Sequence, residues 1–230
     1  MRVASIIDVS LVDVPGIPVT TIFTAGCNFD CPYCQNSGLI PLDSGLLVDI
    51  DEIVKRASGH LVDGFCVTGG EPTIHKDLPD LLRELKKTGL HVNLNTNGSV
   101  PEVVDASLPY LDSVWLDIKT TPQNYHKVAR TKHNPWIRVM QSITLILDSN
   151  VRLWPRTTYV GGLTTLDDIR GIVQVLHEIG YKGEYVVQNY VQSVGVRDRD
   201  TTWFYSPQKE EVKPILKELP KKISIRLEWR

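Results

Sequence analysis

Short apolar runs alternate along this chain with stretches whose apolar positions recur at helical spacing, and the alternation repeats six times. Residues 19–23 (VTTIF) form a β-branched run that stops before Gly26, and residues 49–57 read as a short helix after a polar loop. Residues 64–68 (GFCVT) are a second strand ended by Gly69-Gly70, and the helix over 78–87 closes with Gly89 as its C-cap. A strand at 90–94 leads to a helix over 100–108 with Pro101 at its start, and a strand at 113–118 leads to a helix over 135–147. Residues 151–160 are extended and precede a helix over 166–179 stopped by Gly180. A sixth strand at 184–189 is followed by a helix over 208–219 and a final apolar run at 223–227.

Six β-then-α units in series imply a parallel sheet covered by helices. The strands read as near-continuous apolar runs, which is the pattern of a sheet covered on both faces. Eight such units usually need about 250 residues, so the best fit is an incomplete parallel barrel, a partial (β/α)6 TIM-like barrel. A doubly wound open sheet is the runner-up, and periodicity alone does not separate the two. Either way, ligands bind at the C-terminal ends of the strands. No repeat, low-complexity tract or linker divides the chain, so residues 1–230 read as one domain.

Composition narrows the class. Of 230 residues, 42% are hydrophobic and 23% charged, which excludes disorder, collagen and coiled coil. A net charge of -2 does not favour nucleic acid or an anionic membrane as partner. Asp8 and Asp13 interrupt any apolar h-region near the N-terminus, and no stretch is long and apolar enough to span a bilayer, so a cytoplasmic location is expected. Of the four cysteines, Cys27, Cys31 and Cys34 crowd into eight positions and Cys66 lies far off. That clustering points to metal binding rather than a disulfide framework.

The crowded cysteines lie in Cys27-Asn-Phe-Asp-Cys31-Pro-Tyr-Cys34, directly after the first strand. Zinc would need a fourth ligand, for which Cys66 and His75 are the candidates, although Cys66 within an apolar strand reads more simply as a small core residue. An iron–sulfur cluster on three cysteines would leave one iron free for an exogenous ligand, and this is the preferred reading. Other polar groups also fall at strand ends. Gly69-Gly70-Glu71-Pro72 permits close backbone approach, and Asn95-Thr96-Asn97-Gly98 offers short polar side chains. Asp117 and Lys119 share one side of their strand and can pair or flank a substrate. Arg156, heading toward a barrel interior, calls for a carboxylate partner, and Gln188-Asn189 end the sixth strand.

In this register the motifs resemble those of the radical S-adenosylmethionine (SAM) superfamily. CNFDCPYC looks like its cysteine motif, in which three cysteines ligate a [4Fe-4S] cluster and SAM chelates the fourth iron, with Tyr33 near the adenine. The resemblance assigns Gly69, Gly70 and Glu71 to the SAM amino group and Arg156 to its carboxylate. It places Asn95, Thr96 and Asn97 in a segment that often begins with aspartate, so Asn95 puts any monovalent-cation site there in doubt. Asp117-Ile118-Lys119 resembles the D-x-K segment of glycyl-radical-enzyme activases, where Asp117 and Lys119 would act with the three cysteines in catalysis. Two departures stand out: Val160-Gly161-Gly162 replaces a frequent Val-Pro-Gly turn, and Gln188 stands where some activases carry a histidine contacting the ribose.

The implied chemistry is reductive cleavage of SAM to a 5′-deoxyadenosyl radical that abstracts hydrogen. The segment at residues 10–16 resembles small activases of the anaerobic ribonucleotide reductase type. The first expectation is therefore an activase that makes a glycyl radical on a partner enzyme, fed by a low-potential donor such as flavodoxin or ferredoxin. The runner-up is a radical SAM enzyme acting on a small molecule or nucleobase, for example in deazapurine or tRNA-modification chemistry. Deazapurine-forming enzymes are expected to carry Thr after the third cysteine, where this chain has Gln35. A third reading, a non-catalytic metal-binding module, leaves the GGEP segment and Arg156 unexplained. Lys127, Arg130, Lys132 and His133 read as a solvated basic face, with an acidic partner or RNA as alternatives. Trp203, Phe204 and Tyr205 read as a packing cluster, and residues 197–200 as an exposed turn.

Overall fold

The computed structural model describes residues 1–59, 61–196, 202–217, 220 and 222–229. The turn expected at 197–200 lies outside the described residues. One nine-stranded sheet organises the chain. Its strands are β1 (Arg2–Ser10), β2 (Val19–Thr24), β3 (Leu46–Leu47), β4 (Gly64–Gly69), β5 (His91–Thr96), β6 (Ser113–Asp117), β7 (Arg152–Tyr159), β8 (Gly183–Asn189) and β9 (Ile223–Glu228). The spatial order is β3-β1-β2-β4-β5-β6-β7-β8-β9, and every pair from β2 through β9 is parallel. Because that parallel run never reverses direction, it is singly wound, which separates it from the doubly wound sheet with its switch point. The sheet is not closed: β3 and β9 are its two edges.

Helices α1 (Ile50–Ala57), α2 (Leu78–Lys86), α3 (Pro101–Ser107), α4 (Tyr125–Ala129), α5 (Trp136–Leu147), α6 (Leu166–Glu178) and α7 (Lys209–Val212) connect the strands. α6 starts with a reciprocal capping box, in which Thr165 accepts from the Asp168 N–H and Asp168 accepts from the Thr165 N–H. The helix expected over 208–219 is shorter. Pro214 has no N–H to give, and the chain continues from Val212 as a 3-10 turn over Lys213–Lys217. The sequence pattern did not announce β1, β3 or α4. β1 pairs antiparallel with β2 through two register shifts and leaves most of its residues exposed or half-buried, so it lacks a clean alternation.

The strands depart from the near-continuous apolar runs expected of them. One face is mostly apolar: Ile22, Phe65, Val67, Val92, Leu94, Val114, Leu116 and Val187 pack with residues of α1, α2, α3, α5 and α6 in one core, with buried threonines such as Thr20 and Thr157 among them. The other face, lining the concave side, is mixed. Its lower part holds Val19, Cys66, Trp115, Trp154 and Val186, plugged by Val14 and Ile17 from the β1–β2 loop. That plug is tied down by Trp115 Nε1 donating to the Asp13 carbonyl at 3.0 Å and Thr21 Oγ1 donating to Asp13 Oδ2 at 2.6 Å. Toward the C-terminal ends of the strands the same face turns polar, with Asn95, Asp117, Arg156, Thr158 and Gln188 lining an open cavity.

Candidate active site

A cavity of about 420 Å³ opens at the C-terminal ends of the parallel strands. The residues that the resemblance assigns to the site all line it: Cys27, Cys31, Tyr33 and Cys34 from the loop after β2; Gly69, Gly70 and Glu71 at the end of β4 and after it; Asn95, Thr96 and Asn97 at the end of β5; Asp117 and Lys119 at the end of β6; Arg156 on β7 and Gln188 on β8. Parallel register does this, because it brings the ends of strands far apart in sequence to one level.

The cysteine loop is held from several sides. The Cys27 N–H donates to the Ile40 carbonyl at 3.0 Å, and the Cys34 N–H donates to the Cys31 carbonyl at 3.1 Å. Asn28 bridges to the β5 end, donating to Ser99 Oγ at 2.7 Å and accepting from Asn97 Nδ2 at 3.0 Å. Burial pushes the thiols up, Cys27 to about 12 and Cys31 to about 11, and Cys34 upward too, while the Lys119 ammonium pulls all three the other way. Such thiols ionise readily only when a metal supplies compensating charge.

Neither candidate for a fourth zinc ligand is placed to serve. Cys66 is fully buried beside Trp115 and Trp154 with its Sγ on Asn93 Oδ1 at 3.4 Å, and His75 Nε2 sits 2.8 Å from the Ala25 carbonyl. Among the described residues, no three His, Cys, Asp or Glu side chains are grouped as one metal ion would require. A cuboidal cluster asks for something else, three thiolates each reaching a different iron, and the chemistry of this donor set fits it.

Glu71 lines the cavity and is also bonded into the framework. Its Oε1 accepts from the Thr73 N–H at 3.0 Å, Thr73 Oγ1 at 2.6 Å and Thr96 Oγ1 at 2.6 Å, and its Oε2 accepts from the Asn97 N–H at 2.7 Å. The carboxylate is 1% exposed and staples the β4 loop to the β5 end. Burial raises its carboxyl above the usual range, and these four hydrogen bonds work against that rise. The two glycines before it also serve the fold. A Cβ on Gly69 would strike the Thr24 backbone, and one on Gly70 would strike the Gly26 carbonyl, so the close approach is between neighbouring strand ends.

Across the cavity lies an ionic set. Arg156 Nε donates to Asp117 Oδ1 at 2.8 Å and Lys119 Nζ to Asp117 Oδ2 at 2.9 Å. Burial opposes the charge on Asp117, but Arg156 and Lys119 outweigh it and hold the carboxyl well below the usual range. Thus the carboxylate partner that Arg156 needs comes from the chain itself, and its guanidinium also lies 5.0 Å from the Trp115 ring centre. Asn95 Oδ1 is buried without a hydrogen-bond partner, an unusual state for an acceptor lining a cavity unless a ligand donates to it. Gln188 Nε2 donates to Thr158 Oγ1 at 2.8 Å.

Sequence reasoning passed over several lining residues. Tyr190 and Val191 reach the cavity only because the chain after β8 folds across the cysteine loop, where Gln35 Nε2 donates to the Val191 carbonyl at 2.8 Å and Ser37 Oγ to the Gly195 carbonyl at 2.5 Å. Asn28 lay inside the cysteine motif and could have been noticed. The Gly161-Gly162 departure finds its reason in packing: a Cβ on Gly161 would meet the Tyr205 ring and one on Gly162 the Trp203 ring, so this turn accommodates the aromatic segment. In that segment Phe204 is buried, whereas Trp203 and Tyr205 are about half exposed.

A singly wound partial barrel with a CX3CX2C loop and a polar cavity at its strand ends defines a class, the radical SAM enzymes. Residues 21–186 match the Radical SAM superfamily, and the chain belongs to that superfamily, whose members use a [4Fe-4S] cluster and SAM. Over 182 residues it is 31% identical to the pyruvate formate-lyase 1-activating enzyme of Escherichia coli K12, covering 73% of this chain and 71% of that one. A Methanocaldococcus jannaschii protein bearing the provisional name of a glycyl-radical enzyme activating enzyme is 28% identical over 82% of this chain and 79% of its own. The 7-carboxy-7-deazaguanine synthase of Methanospirillum hungatei is 36% identical over a shorter span, 45% of this chain and 43% of its own. Among solved structures, TYW1 with a lysine-pyruvate adduct superposes with a TM-score of 0.67 at 15% identity, over 91% of this chain and 76% of that one. Streptococcus suis SuiB bound to S-adenosylmethionine superposes at 0.65 and 17% identity over 88% of this chain, which spans about half of SuiB. At those identities the likeness is one of fold.

Proposed function

We propose that this radical SAM enzyme is an activase that generates a glycyl radical on a partner protein, anaerobic ribonucleotide reductase being the first candidate. The observation that carries the reading is the span of the activating-enzyme relatives: they align over most of this chain, including the Asp117-Ile118-Lys119 segment, whereas the deazaguanine synthase aligns over less than half. The segment at residues 10–16, which plugs the barrel floor, supports the ribonucleotide reductase type through its resemblance to small activases.

When bound, the reduced cluster and SAM supply one-electron cleavage of the sulfonium and removal of a hydrogen atom. The chain does the rest. Cys27, Cys31 and Cys34 would hold three irons as thiolates, giving up their protons as the cluster loads. The Lys119 ammonium lies close enough to lower all three thiol pKa values, so it favours the anionic ligand set. Asp117 fixes Arg156 and Lys119 in place, leaving the remaining guanidinium and ammonium donors for an anionic group of the co-substrate. The unpartnered Asn95 Oδ1 would accept from a hydroxyl or ammonium. Tyr190 and the Gln35–Val191 contact wall off one side of the cavity and limit water there.

The second reading, chemistry on a small molecule or nucleobase, draws on the deazaguanine synthase match. Against it stands Gln35, committed to the Val191 carbonyl where a cation-binding Thr is expected. The test is to mix the anaerobically reconstituted protein, SAM and a low-potential reductant with anaerobic ribonucleotide reductase and record EPR spectra. A glycyl doublet, with 5′-deoxyadenosine formed alongside, is the expected result. Formation of 5′-deoxyadenosine with no doublet on any glycyl radical enzyme would overturn the activase reading.

A further inference from the structure

Residues 118–147 contain no Asp or Glu, in a chain whose net charge is -2. Within that stretch, α4 and the turn after it carry Lys127, Arg130 and Lys132 with His126 and His133, all exposed. Acids from elsewhere in the fold do meet the stretch: Asp30 on the cysteine loop, Asp168, which accepts from Asn124 Nδ2 at 2.9 Å, and Glu102, which pairs with Arg138; Lys127 and Lys132 form no ion pair among the described residues. The sequence left this stretch as a solvated face, an acidic partner's site or an RNA site. Its position in the fold separates these readings.

α4 is two-sided. Tyr125, Val128 and Ala129 are buried, and each meets the cysteine loop or its cluster of apolar neighbours. The Asp30 N–H donates to the Ala129 carbonyl at 3.0 Å, the Phe29 and Tyr125 rings meet edge-on at 6.2 Å, and Val128 shares an apolar cluster with Tyr33, against which Cys31 also packs. The basic residues occupy the opposite face. They are the solvent side of the element that backs the cysteine loop, roughly 10 Å away, the width of one helix.

Reductive chemistry at a cluster needs one electron from outside for each SAM cleaved, and transfer slows steeply with distance. We propose that the exposed basic face of α4 and its following turn docks an acidic electron-transfer protein, one carrying a low-potential flavin or iron–sulfur centre. The donor is oxidised by one electron, which passes through the loop into the cluster held by Cys27, Cys31 and Cys34, and no bond forms between the proteins. The inference rests on the reading of those cysteines as cluster ligands and is independent of which substrate the radical reaches. Steering between opposite charges sets on-rate and salt dependence, and it is strongest where one sign of charge stands alone.

The experiment compares the wild-type protein with Lys127→Glu/Lys132→Glu, both exposed, and with a control, Lys55→Glu/Lys182→Glu, on α1 and before β8. Affinity for an acidic flavodoxin and an acidic [2Fe-2S] ferredoxin is measured directly at several salt concentrations, and 5′-deoxyadenosine formation is driven either by those proteins or by dithionite. The expected result is a rise of about tenfold or more in Kd and in half-saturating donor concentration for the α4 variant, with a flatter salt dependence. Dithionite-driven turnover should stay unchanged, and the control should match wild type throughout. Unaltered donor affinity, equal losses in the control, or an equal loss with dithionite would overturn the proposal. So would binding of an RNA that the α4 variant loses while donor affinity holds. Absent iron, sulfide and dithionite-driven turnover in the wild type would instead remove the cluster reading, while the binding measurement still reports on docking.

Discussion

The two ends of the concave face are built from the same strands and behave oppositely. At the floor, Val19, Cys66, Trp115, Trp154 and Val186 close around Val14 and Ile17, and Trp115 Nε1 and Thr21 Oγ1 there are tied to Asp13. At the mouth, two residues further along each strand, Asn95, Asp117, Arg156 and Gln188 surround a cavity, and the buried Asn95 Oδ1 and Tyr33 Oη that line it have no hydrogen-bond partner. The floor is packed to hold the sheet's curvature, and the mouth is polarised to hold something that is not protein. In a parallel sheet that division follows from strand direction, since all the connecting loops that carry the cysteines and glycines leave from one end.

Substitutions should separate the two ends. The largest effect is expected at the mouth: Cys27→Ala, Cys31→Ala or Cys34→Ala should each reduce 5′-deoxyadenosine formation to background and lower bound iron and sulfide. Unchanged turnover in the triple variant would break the contrast at its root. Next comes the floor, where Trp154→Ala should cost about 3–5 kcal/mol in denaturant unfolding while iron loading and SAM cleavage survive at temperatures where the variant is folded. A Trp154→Ala protein of full stability would show that the floor is not a packed core.

Glu71 belongs to the mouth by position and to the framework by its bonds. Glu71→Ala leaves the Thr73 and Asn97 N–H groups buried without an acceptor, so about 2–4 kcal/mol of stability should be lost, together with order in the β4 loop. An intact melting temperature with lost SAM binding would return Glu71 to a purely ligand-binding role. The smallest effect concerns acid. The folded pKa of Asp117 lies below its unfolded value of about 3.9. Below that value the unfolded state binds more protons, so the stability Asp117 contributes is complete above about pH 4 and falls away as pH drops through the acid range. Asp117→Asn should flatten that part of the stability–pH curve.

The sequence alone determined the alternation of strands and helices, the parallel sheet and the placement of each motif at a strand end, because these depend on local periodicity and on turn residues such as Gly69, Gly89 and Gly180. It also determined the cysteine spacing, and with it the resemblance that the family match bears out. Local pattern carried no signal for β1, whose bulged pairing to β2 breaks its alternation, nor for α4, only five residues long. Only the tertiary structure decided who partners whom. It gave Glu71 to Thr73, Thr96 and Asn97 and gave Arg156 to Asp117. It also turned the strands' second face from an expected apolar surface into a half-polar lumen, and it set the basic face of α4 behind the cysteine loop. The reason is physical: hydrogen bonds and ion pairs are set by distances between residues remote along the chain, and those distances exist only once the sheet has curved.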